Sequence, residues 1–343
     1  MTFYDNLQKR LRRHPRTWLV TGAAGFIGAH LVEKLLLLNQ RVIGLDNFST
    51  GQKQNLTDVR KAVGPISWKS FKFIEGDIRE TKICRRSCEG ADYVLHHAAA
   101  CSVPLSLTDP LTTNECNVTG FLNVALAARD AKVRRFVYAS SSSVYGDEPT
   151  LPKLEDNVGH PLSPYALTKR IDELYADVLT RCYDFEFAGL RYFNVFGPRQ
   201  DPNGPYAAVI PKWIAAMRKG EPIYINGDGE TSRDFCYIEN VVQANLLAAA
   251  SKNPAAKNEN YNIACNERTT LNELFTVLRE GLLPQYPHLL RFKAKYKNFR
   301  PGDVRHSQAD IQKAERLLGY VPSHRFAEGI AATLRWHSEG RPE

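Results

Sequence analysis

A tyrosine and a lysine four residues apart have the clearest potential for chemistry in this sequence. Tyr165 and Lys169 stand in the segment Ser163-Pro164-Tyr165-Ala166-Leu167-Thr168-Lys169, where a helix is predicted to begin. At that spacing both side chains lie on one helical face, as they also would on any amphipathic helix. An ammonium beside a phenol favours the phenolate, so we expect Lys169 to lower the pKa of Tyr165 from about 10. The pair could then take a proton from an alcohol.

A glycine-rich turn is the first element that could position chemistry around this pair. The apolar run Thr17 to Thr21 predicts a strand, and a helical pattern through Leu38 follows the turn. Glycine is needed where φ is positive or where the backbone approaches a pyrophosphate, and the helix N-terminus offers N–H groups to the anion. The order strand, glycine turn, helix therefore favours a dinucleotide site over a structural turn. The residues of this turn are Gly22, Gly25, Phe26, Ile27 and Gly28.

The next apolar segment, Arg41 to Leu45, ends at Asp46. A carboxylate at this place can accept hydrogen bonds from the adenosine ribose, and it would repel the 2′-phosphate of NADP. The sequence therefore favours NAD. We expect the polar loop that follows to surround the same ribose, with Asn47, Ser49, Thr50 and Gly51.

Strands and helices continue to alternate along the first half of the chain. Strands are predicted at 71–74, 91–96 and 135–139, and a helix at 110–128. This alternation predicts an α/β fold with a doubly wound parallel sheet of Rossmann type. Asp77 and Ile78 follow a strand end and are candidates to hold adenine, although Asp77 fits a helix N-cap equally well.

Two further runs follow predicted strands. The neighbours His96 and His97 point in opposite directions on a strand, which argues against a metal site, and we expect one of them to face the core. The small residues Ala98 to Ala100 would let the backbone approach a ligand closely. The serines at 140–143 follow the strand at 135–139, so their hydroxyls should emerge near Tyr165 at the edge where the nicotinamide is expected. A polar turn is the alternative.

Composition excludes several classes of protein. The 343 residues are 43% hydrophobic and 24% charged, as in a globular protein with a sizeable core. The net charge of +8 is spread out apart from an N-terminal cluster, so we expect a solvated face there and no nucleic-acid partner. No apolar run is long enough for a secretory signal or a membrane span. Seven scattered cysteines predict reduced thiols in a cytoplasmic protein, without a metal site.

With these motifs the chain resembles the extended short-chain dehydrogenase/reductase family. The matching residues are the glycine turn, Asp46, Gly76-Asp77-Ile78, Ser141 to Ser143 with Tyr145-Gly146, and Tyr165 to Lys169. Longer stretches, at 190–197, 203–211 and 224–235, look like the bacterial UDP-N-acetylglucosamine/UDP-N-acetylgalactosamine 4-epimerases of surface-polysaccharide pathways. The resemblance covers nearly the whole chain. It implies an NAD-binding Rossmann domain at 1–190, to which about 232–262 returns, and a smaller C-terminal α/β domain at 191–343 that binds the UDP-sugar.

The resemblance also implies roles for individual residues. Tyr165 would be the catalytic base, Lys169 its partner and Ser141 the hydroxyl at the sugar O4, with Ser142 and Ser143 nearby. The implied cofactor contacts are Gly22, Gly25, Phe26, Ile27, Gly28, Asp46, Asn47, Ser49, Thr50, Gly51, Asp77, Ile78, Ala98, Ala99, Asn117, Tyr165, Lys169, Tyr192 and Val195. The implied substrate contacts are Ser102, Ser141, Ser143, Asn194, Val209, Trp213, Tyr224, Asn226, Arg233, Arg300, Asp303 and Ser307.

Ser307 carries the implied choice of sugar. Members of the family restricted to UDP-glucose and UDP-galactose have a bulky tyrosine at this position, whereas members that admit an N-acetyl group have a small residue. Close relatives differ from this chain at four positions, where they carry glutamine, glycine, arginine and threonine. The residues here are His97, Cys101, Leu105 and Val144.

The expected activity is a redox-neutral C4 epimerisation of UDP-N-acetylhexosamines through a 4-keto sugar, with the plain UDP-hexoses as further candidates. Rival enzymes are a UDP-uronic acid 4-epimerase and a nucleotide-sugar dehydratase. A dehydratase would carry an Asp-Glu pair where Ser142 and Ser143 stand. A non-catalytic NAD-binding scaffold is a rival of another class, but we would expect it to have lost Tyr165 or Lys169. The resemblance further implies a homodimer through helices near 110–128 and 164–182.

Overall fold

The chain alternates strands and helices throughout, and the computed structural model describes it over residues 2–203, 207–299 and 304–339. The strands are β1 (Thr17–Thr21), β2 (Arg41–Asp46), β3 (Phe71–Glu75), β4 (Tyr93–His96), β5 (Arg135–Ser141), β6 (Phe187–Tyr192), β7 (Val195–Phe196), β8 (Tyr224–Asn226), β9 (Ser232–Arg233), β10 (Cys236–Tyr237), β11 (Glu259–Ile263), β12 (Thr269–Thr270) and β13 (Lys295–Lys297). The α-helices are α1 (Phe3–Arg13), α2 (Phe26–Leu37), α3 (Lys53–Trp68), α4 (Thr81–Cys88), α5 (Val103–Thr108), α6 (Pro110–Asn114), α7 (Gly120–Asp130), α8 (Pro164–Tyr183), α9 (Val209–Lys219), α10 (Ile238–Ala250), α11 (Leu271–Leu282), α12 (Gln312–Leu318) and α13 (Phe326–Glu339).

A seven-stranded parallel sheet forms the centre of the fold, with strand order β11-β6-β5-β4-β1-β2-β3. The order reverses between β4 and β1, and in sheets of this kind ligands bind beyond the carboxyl ends of the strands at such a reversal. The predicted doubly wound Rossmann-type sheet is therefore confirmed. The strand β11 is added at the sheet edge beside β6, although it lies far along the chain.

Both faces of the sheet are covered, because its strands are apolar on both sides. One face packs against α2 and α10 around Trp18 and Leu36, which are almost fully buried. The other face packs against α4, α7 and α8 around Phe121 and Leu179. A sheet buried on both faces explains why the strands read as short continuous apolar runs.

The strand predictions agree with the structure to within two residues at each end, but the helix predicted at 110–128 differs. It begins at Pro110 as predicted, then widens into a π-helical turn, Glu115–Thr119, before it continues as α7. A π-helical turn accommodates an extra residue in the helix, and such turns often occur at functional sites.

The basic N-terminal segment forms the amphipathic helix α1, where only a solvated face had been predicted. Tyr4, Leu7 and Leu11 are buried against the rest of the protein, whereas Lys9, Arg12 and Arg13 are exposed. Thr2 and Asp5 form a capping box, which fixes the start of the helix.

Short strands also pair outside the central sheet. The strands β8 and β13 pair in parallel, as do β7 and β10, whereas β9 and β12 pair antiparallel. Of the helices in the described ranges, none combines the length and the apolar character that a membrane crossing requires.

Candidate active site

The glycine turn after β1 is shaped by close backbone contacts. Gly22 has φ +69°, and a Cβ there would lie 2.9 Å from the backbone of His97. A Cβ on Gly28 would lie 2.0 Å from the carbonyl oxygen of Gly22, so that no side chain fits. The helix α2 begins at Phe26, and its N-cap, Gly25, has no side chain to satisfy the first N–H groups. These donors, with no acidic residue in the first turn, suit a pyrophosphate.

Asp46 at the end of β2 is held by the glycine turn itself. Its carboxylate accepts from the N–H of Ala24 at 2.9 Å and from the N–H of Phe48 at 2.7 Å. Burial raises the pKa of Asp46, and these hydrogen bonds oppose the rise. A Cβ on Gly51 would lie 2.8 Å from this carboxylate, which explains the glycine there. The loop residues Ser49 and Thr50 are exposed beside it.

Asp77 after β3 is joined to the Asp46 loop. It accepts from Asn47 at 2.9 Å and from the guanidinium of Arg79 at 2.8 Å. Hydrogen bonding to Arg79 is the main cause that lowers the pKa of Asp77. The alternative that Asp77 caps a helix is wrong, because the N-cap of α4 is Glu80. Arg79 was not predicted, since an arginine two residues after an aspartate has no distinctive pattern.

Ile78 and the histidine pair have different surroundings. Ile78 is buried and lies so close to Gly120 that a Cβ at 120 would be 2.5 Å from it. His96 faces the core, as we expected of one histidine, with its Nδ1 2.9 Å from the Thr21 hydroxyl. His97 faces the other way, and its Nε2 lies 2.8 Å from the Tyr192 hydroxyl.

Asn117, in the π-helical turn, ties the small-residue loop to α8. Its side chain exchanges two hydrogen bonds with the backbone of Ala100, at 2.8 and 3.1 Å, and donates a third to Thr168 at 3.0 Å. Ala98 donates its N–H to the Thr21 hydroxyl, and Ala99 is half-buried between these two anchors. The loop is therefore held at both ends along the expected cofactor site.

Tyr165 and Ser141 are brought together where β5 ends and α8 begins. Ser163 caps α8 by accepting from the N–H of Ala166, and Pro164 is the first helical residue, as predicted. Ser141 lies beside the phenol of Tyr165 and acts to lower its pKa. Ser141 also donates to the Ser143 hydroxyl at 3.1 Å, and Ser142 begins the 3₁₀ turn between them.

The expected lowering of the Tyr165 pKa is wrong for the protein alone. Burial raises the pKa of Tyr165 well above its ordinary value, and the neighbouring Ser141 hydroxyl opposes this only in part. Burial is the main cause of the raised pKa. The Lys169 ammonium, which was expected to lower it, donates to Asp172 at 3.3 Å. Both of these side chains are almost fully buried.

A buried ion pair that sequence reasoning missed fixes the orientation of α8. Arg191 on β6 binds Glu173 through two parallel hydrogen bonds of 2.8 and 2.9 Å, and Ser140 donates to the same carboxylate at 2.7 Å. The helix that carries Tyr165 is thereby joined to β5 and β6. The contact has no local signal, since its members are 18 and 33 residues apart.

Two further predicted cofactor residues lie near the end of β6. The Tyr192 hydroxyl accepts from Asn245 at 2.8 Å in addition to its contact with His97, and its ring is buried. Val195 is half-buried at the start of β7.

A cavity of about 330 Å³ lies between α9, β8 and β9. Six of the predicted substrate residues line it, namely Asn194, Val209, Trp213, Tyr224, Asn226 and Arg233. Sequence reasoning did not single out further lining residues, among them Lys212, Thr231, Phe235 and Leu271. Most of these lie inside or next to the segments 203–211 and 224–235. Their position beside predicted substrate residues was the signal that could have identified them.

Of the remaining predicted substrate residues, Ser102, Ser141, Ser143 and Ser307 are not among those that line this cavity. Ser102 caps α5 by accepting from the N–H of Leu105 at 3.1 Å. Ser307 donates its N–H to the carbonyl of Ser232 at 3.1 Å, beside Arg233. Arg300 and Asp303 lie outside the described residues. No group of three or more His, Cys, Asp or Glu in the described ranges is arranged to hold a metal ion.

Comparison with known proteins gives consistent matches. Residues 18–264 match the model of the NAD dependent epimerase/dehydratase family. The UDP-glucose 4-epimerase of Mycolicibacterium smegmatis is 36% identical over 93% of this chain and 97% of its own length. The UDP-glucuronate 4-epimerase of Thermodesulfobacterium geofontis is 34% identical over 94% and 96%, respectively.

Among solved structures, the UDP-N-acetylglucosamine 4-epimerase of Methanobrevibacter ruminantium in complex with UDP-N-acetylmuramic acid is 36% identical to this chain. It superimposes with a TM-score of 0.86 and covers 95% of this chain and 99% of its own. The family match covers most of the sequence, and these relatives match over nearly their whole length. The chain therefore belongs to the NAD dependent epimerase/dehydratase family.

Proposed function

We propose that this chain is an NAD-dependent UDP-sugar 4-epimerase whose preferred substrates are UDP-N-acetylhexosamines. The observation that carries the proposal is the Tyr165 phenol, which lies beside Ser141 at the carboxyl edge of the sheet with Lys169 one helical turn away. A base, a hydroxyl donor and a cation at this edge suit the interconversion of an alcohol and a ketone.

The residues along β1 to β4 fit the family's NAD. The N–H groups at the start of α2 would hold the pyrophosphate, Asp46 the adenosine ribose, and the loop braced by Asn117 the nicotinamide side. When bound, NAD supplies an acceptor for hydride from C4 and a donor for its return. The groups that hold it come from the sheet edge where the order of strands reverses.

Tyr165 and Ser141 would act on the oxygen at C4. The Tyr165 phenolate takes the proton of the C4 hydroxyl, and Ser141 donates a hydrogen bond to O4 as it changes between alcohol and ketone. Because burial alone favours the phenol, the positive charge of Lys169 has to stabilise the phenolate before turnover. After the 4-keto sugar has rotated in the site and presents its other face, Tyr165 returns the proton.

The cavity beside α9 would hold the UDP group. Arg233 presents a guanidinium there, which suits phosphate oxygens, and Lys212 adds a second cation. Trp213 and Phe235 supply aromatic surface for the uracil ring. Turning of the sugar about its diphosphate link needs this anchor, because the nucleotide must stay bound while the sugar presents its other face.

The proposed preference for N-acetylated sugars rests on Ser307, the small residue where restricted relatives have tyrosine. A solved relative that is named for UDP-N-acetylglucosamine supports the same choice. The relatives named for UDP-glucose and UDP-glucuronate make these sugars the competing candidates.

Incubation with UDP-GlcNAc, UDP-Glc and UDP-GlcA in separate reactions, followed by NMR assignment of each C4 epimer, distinguishes these candidates. We expect the highest kcat/KM with UDP-GlcNAc. Ser307→Tyr should reduce that value about tenfold or more relative to UDP-Glc, whereas Ser307→Ala, which stays small, should not. A strong preference of the unaltered protein for UDP-Glc or UDP-GlcA would overturn the assignment of the sugar. An absence of any epimer from all three sugars would favour the scaffold alternative.

A further inference from the structure

Three side chains of α8 that could share one electrostatic system lie on the same helical face. Tyr165, Lys169 and Asp172 are spaced i, i+4 and i+7, so Lys169 stands between the phenol and the carboxylate. The Lys169 ammonium donates to Asp172 Oδ2 at 3.3 Å. The side chains of Lys169 and Asp172 are 4% and 1% exposed, which removes most of the screening by water.

The Asp172 carboxylate depends on Lys169 for its charge compensation. Its Oδ1 is buried and has no hydrogen-bond partner within the described structure. Burial raises the pKa of Asp172 to about 7, the Lys169 ammonium opposes the rise, and the Glu173 carboxylate adds to it. This carboxyl group is therefore easier to protonate than an exposed aspartate.

The other charged groups nearby on this helix are already paired. Glu173 binds Arg191 and Arg170, at 2.8 and 2.9 Å. Burial favours a higher pKa for Glu173, but the two guanidinium groups and Ser140 outweigh it and lower that pKa. Glu173 therefore stays ionised at neutral pH, and it does not share the proton of Asp172.

The titratable groups that face this pair from the sheet are neutral. Burial raises the pKa of Tyr138 on β5 well above its ordinary value, and the Asp172 charge adds to that rise. Burial lowers the pKa of His96 well below its ordinary value and that of His97 to about 4, with the Lys169 charge contributing to both. Among these groups, Lys169 and Asp172 are therefore the two that carry charge, and each compensates the charge of the other.

We propose that Asp172 is a positioning residue for Lys169, and that its charge reduces the stabilisation that the Lys169 ammonium gives to the Tyr165 phenolate. Protonation of Asp172 would leave the ammonium uncompensated and strengthen its effect on the phenol. The inference rests on the proposed function for its consequence in turnover, but not for the electrostatic coupling itself.

The variant Asp172→Asn tests the coupling, because it keeps the size and an acceptor oxygen while it removes the charge. In the NAD-bound protein we expect the tyrosinate absorbance of Tyr165, obtained by subtracting the titration of Tyr165→Phe, to move to lower pH by about 0.5 to 1 unit. Asp172→Glu, which keeps a carboxylate, should titrate close to the unaltered protein. Asp177→Asn makes the same change at an exposed position of α8 and should leave the titration in place.

The pH dependence of kcat gives a second readout. A purely structural role of Asp172 would not shift it in the same way. The limb of the kcat profile that rises with pH should shift to lower pH in Asp172→Asn by the same amount, with KM nearly unchanged. A titration of Tyr165 that stays in place in Asp172→Asn would overturn the proposal, whatever happens to turnover. A shifted titration in a protein without epimerase activity would uphold the coupling and count against the proposed function alone.

Discussion

Tyr165 must lose its proton in surroundings that favour the phenol. The neighbouring Ser141 hydroxyl does not compensate for its burial, and the ammonium of Lys169, one helical turn away, is bound to Asp172. A buried tyrosine acts as a base only when a nearby cation stabilises its phenolate. The pKa of such a tyrosine is therefore set by a small number of neighbouring groups. We therefore expect the activity to depend on the charges of the residues around Tyr165.

Replacing Lys169 by Met should move the activity profile to higher pH. Loss of the ammonium raises the pKa of the phenol, and activity that requires the phenolate then appears only at higher pH, by about 1 unit or more. The buried Asp172 would take up a proton in this variant, because it has lost its cation. The measurement is kcat/KM against pH.

Lys82→Met, at an exposed position of α4, is the matched control and should leave that profile unchanged. If the profile of Lys169→Met coincided with that of the unaltered protein, Lys169 could not be the group that tunes Tyr165.

The functional residues that could be predicted from the sequence were those that form a pattern within a short stretch of the chain. The pair Tyr165 and Lys169, the serine run and the glycine turn are each readable within a few positions. Glu173 and Arg191 were not predicted, because an ion pair between a helix and a strand leaves no pattern along the chain. The direction of Lys169 was missed for a related reason: its ammonium binds Asp172 on the next turn, which the spacing of Tyr165 and Lys169 does not indicate.

At the scale of elements, the π-helical turn Glu115–Thr119 is the device that places Asn117. Its extra residue turns the amide inward, where it contacts Ala100 and Thr168. The apolar pattern of 110–128 is that of an ordinary helix, so the break could not be predicted from it. The helix α1 was missed because its charges are more conspicuous than its three buried side chains.

Asn117→Ala should weaken the hold on the cofactor more than it weakens the fold. The variant loses three hydrogen bonds and leaves backbone groups of Ala100 unpaired, which costs about 1 to 3 kcal/mol. We expect a lower Tm and a smaller fraction of protein that keeps NAD through gel filtration. Asn6→Ala, at an exposed position of α1, should change neither quantity. Unaltered NAD retention in Asn117→Ala would contradict the role of the turn.

At the scale of the molecule, α6 and α8 leave apolar side chains in water. Leu111 is 77% exposed, Leu167 and Leu174 are each 49% exposed, and Val178 is 44% exposed. Apolar residues clustered on adjacent helices are typical of an interface. The homodimer implied by the resemblance remains a prediction, and these helices are the surface that we propose for it.

Leu174→Asp should convert such a dimer into monomers, because it places a charge in the centre of the proposed apolar interface. Sedimentation velocity measures the change directly. Leu290→Asp introduces the same charge at another exposed leucine, outside these helices, and should leave the oligomeric state as it is. A dimer that persists in Leu174→Asp, or a monomer in the unaltered protein, would contradict this surface.

The fold places the proposed cofactor site and the proposed substrate site in different parts of the molecule. The sheet edge at β1 and β4 carries the residues proposed for NAD, and the cavity beside α9 carries those proposed for UDP. Ser141 ends β5 and Tyr165 lies in the first turn of α8, and the two can act on the sugar only when both ligands are bound. The central claim is therefore the passage of hydride from C4 of the sugar and back.

The most direct measurement follows a deuterium label at C4 of UDP-GlcNAc during turnover in ordinary water. The account predicts UDP-GalNAc that keeps the label at C4, and it predicts that Tyr165→Phe binds the UDP-sugar by calorimetry with about the same Kd but turns it over at least about 100-fold more slowly. Loss of the label to water, or full activity of Tyr165→Phe, would contradict it.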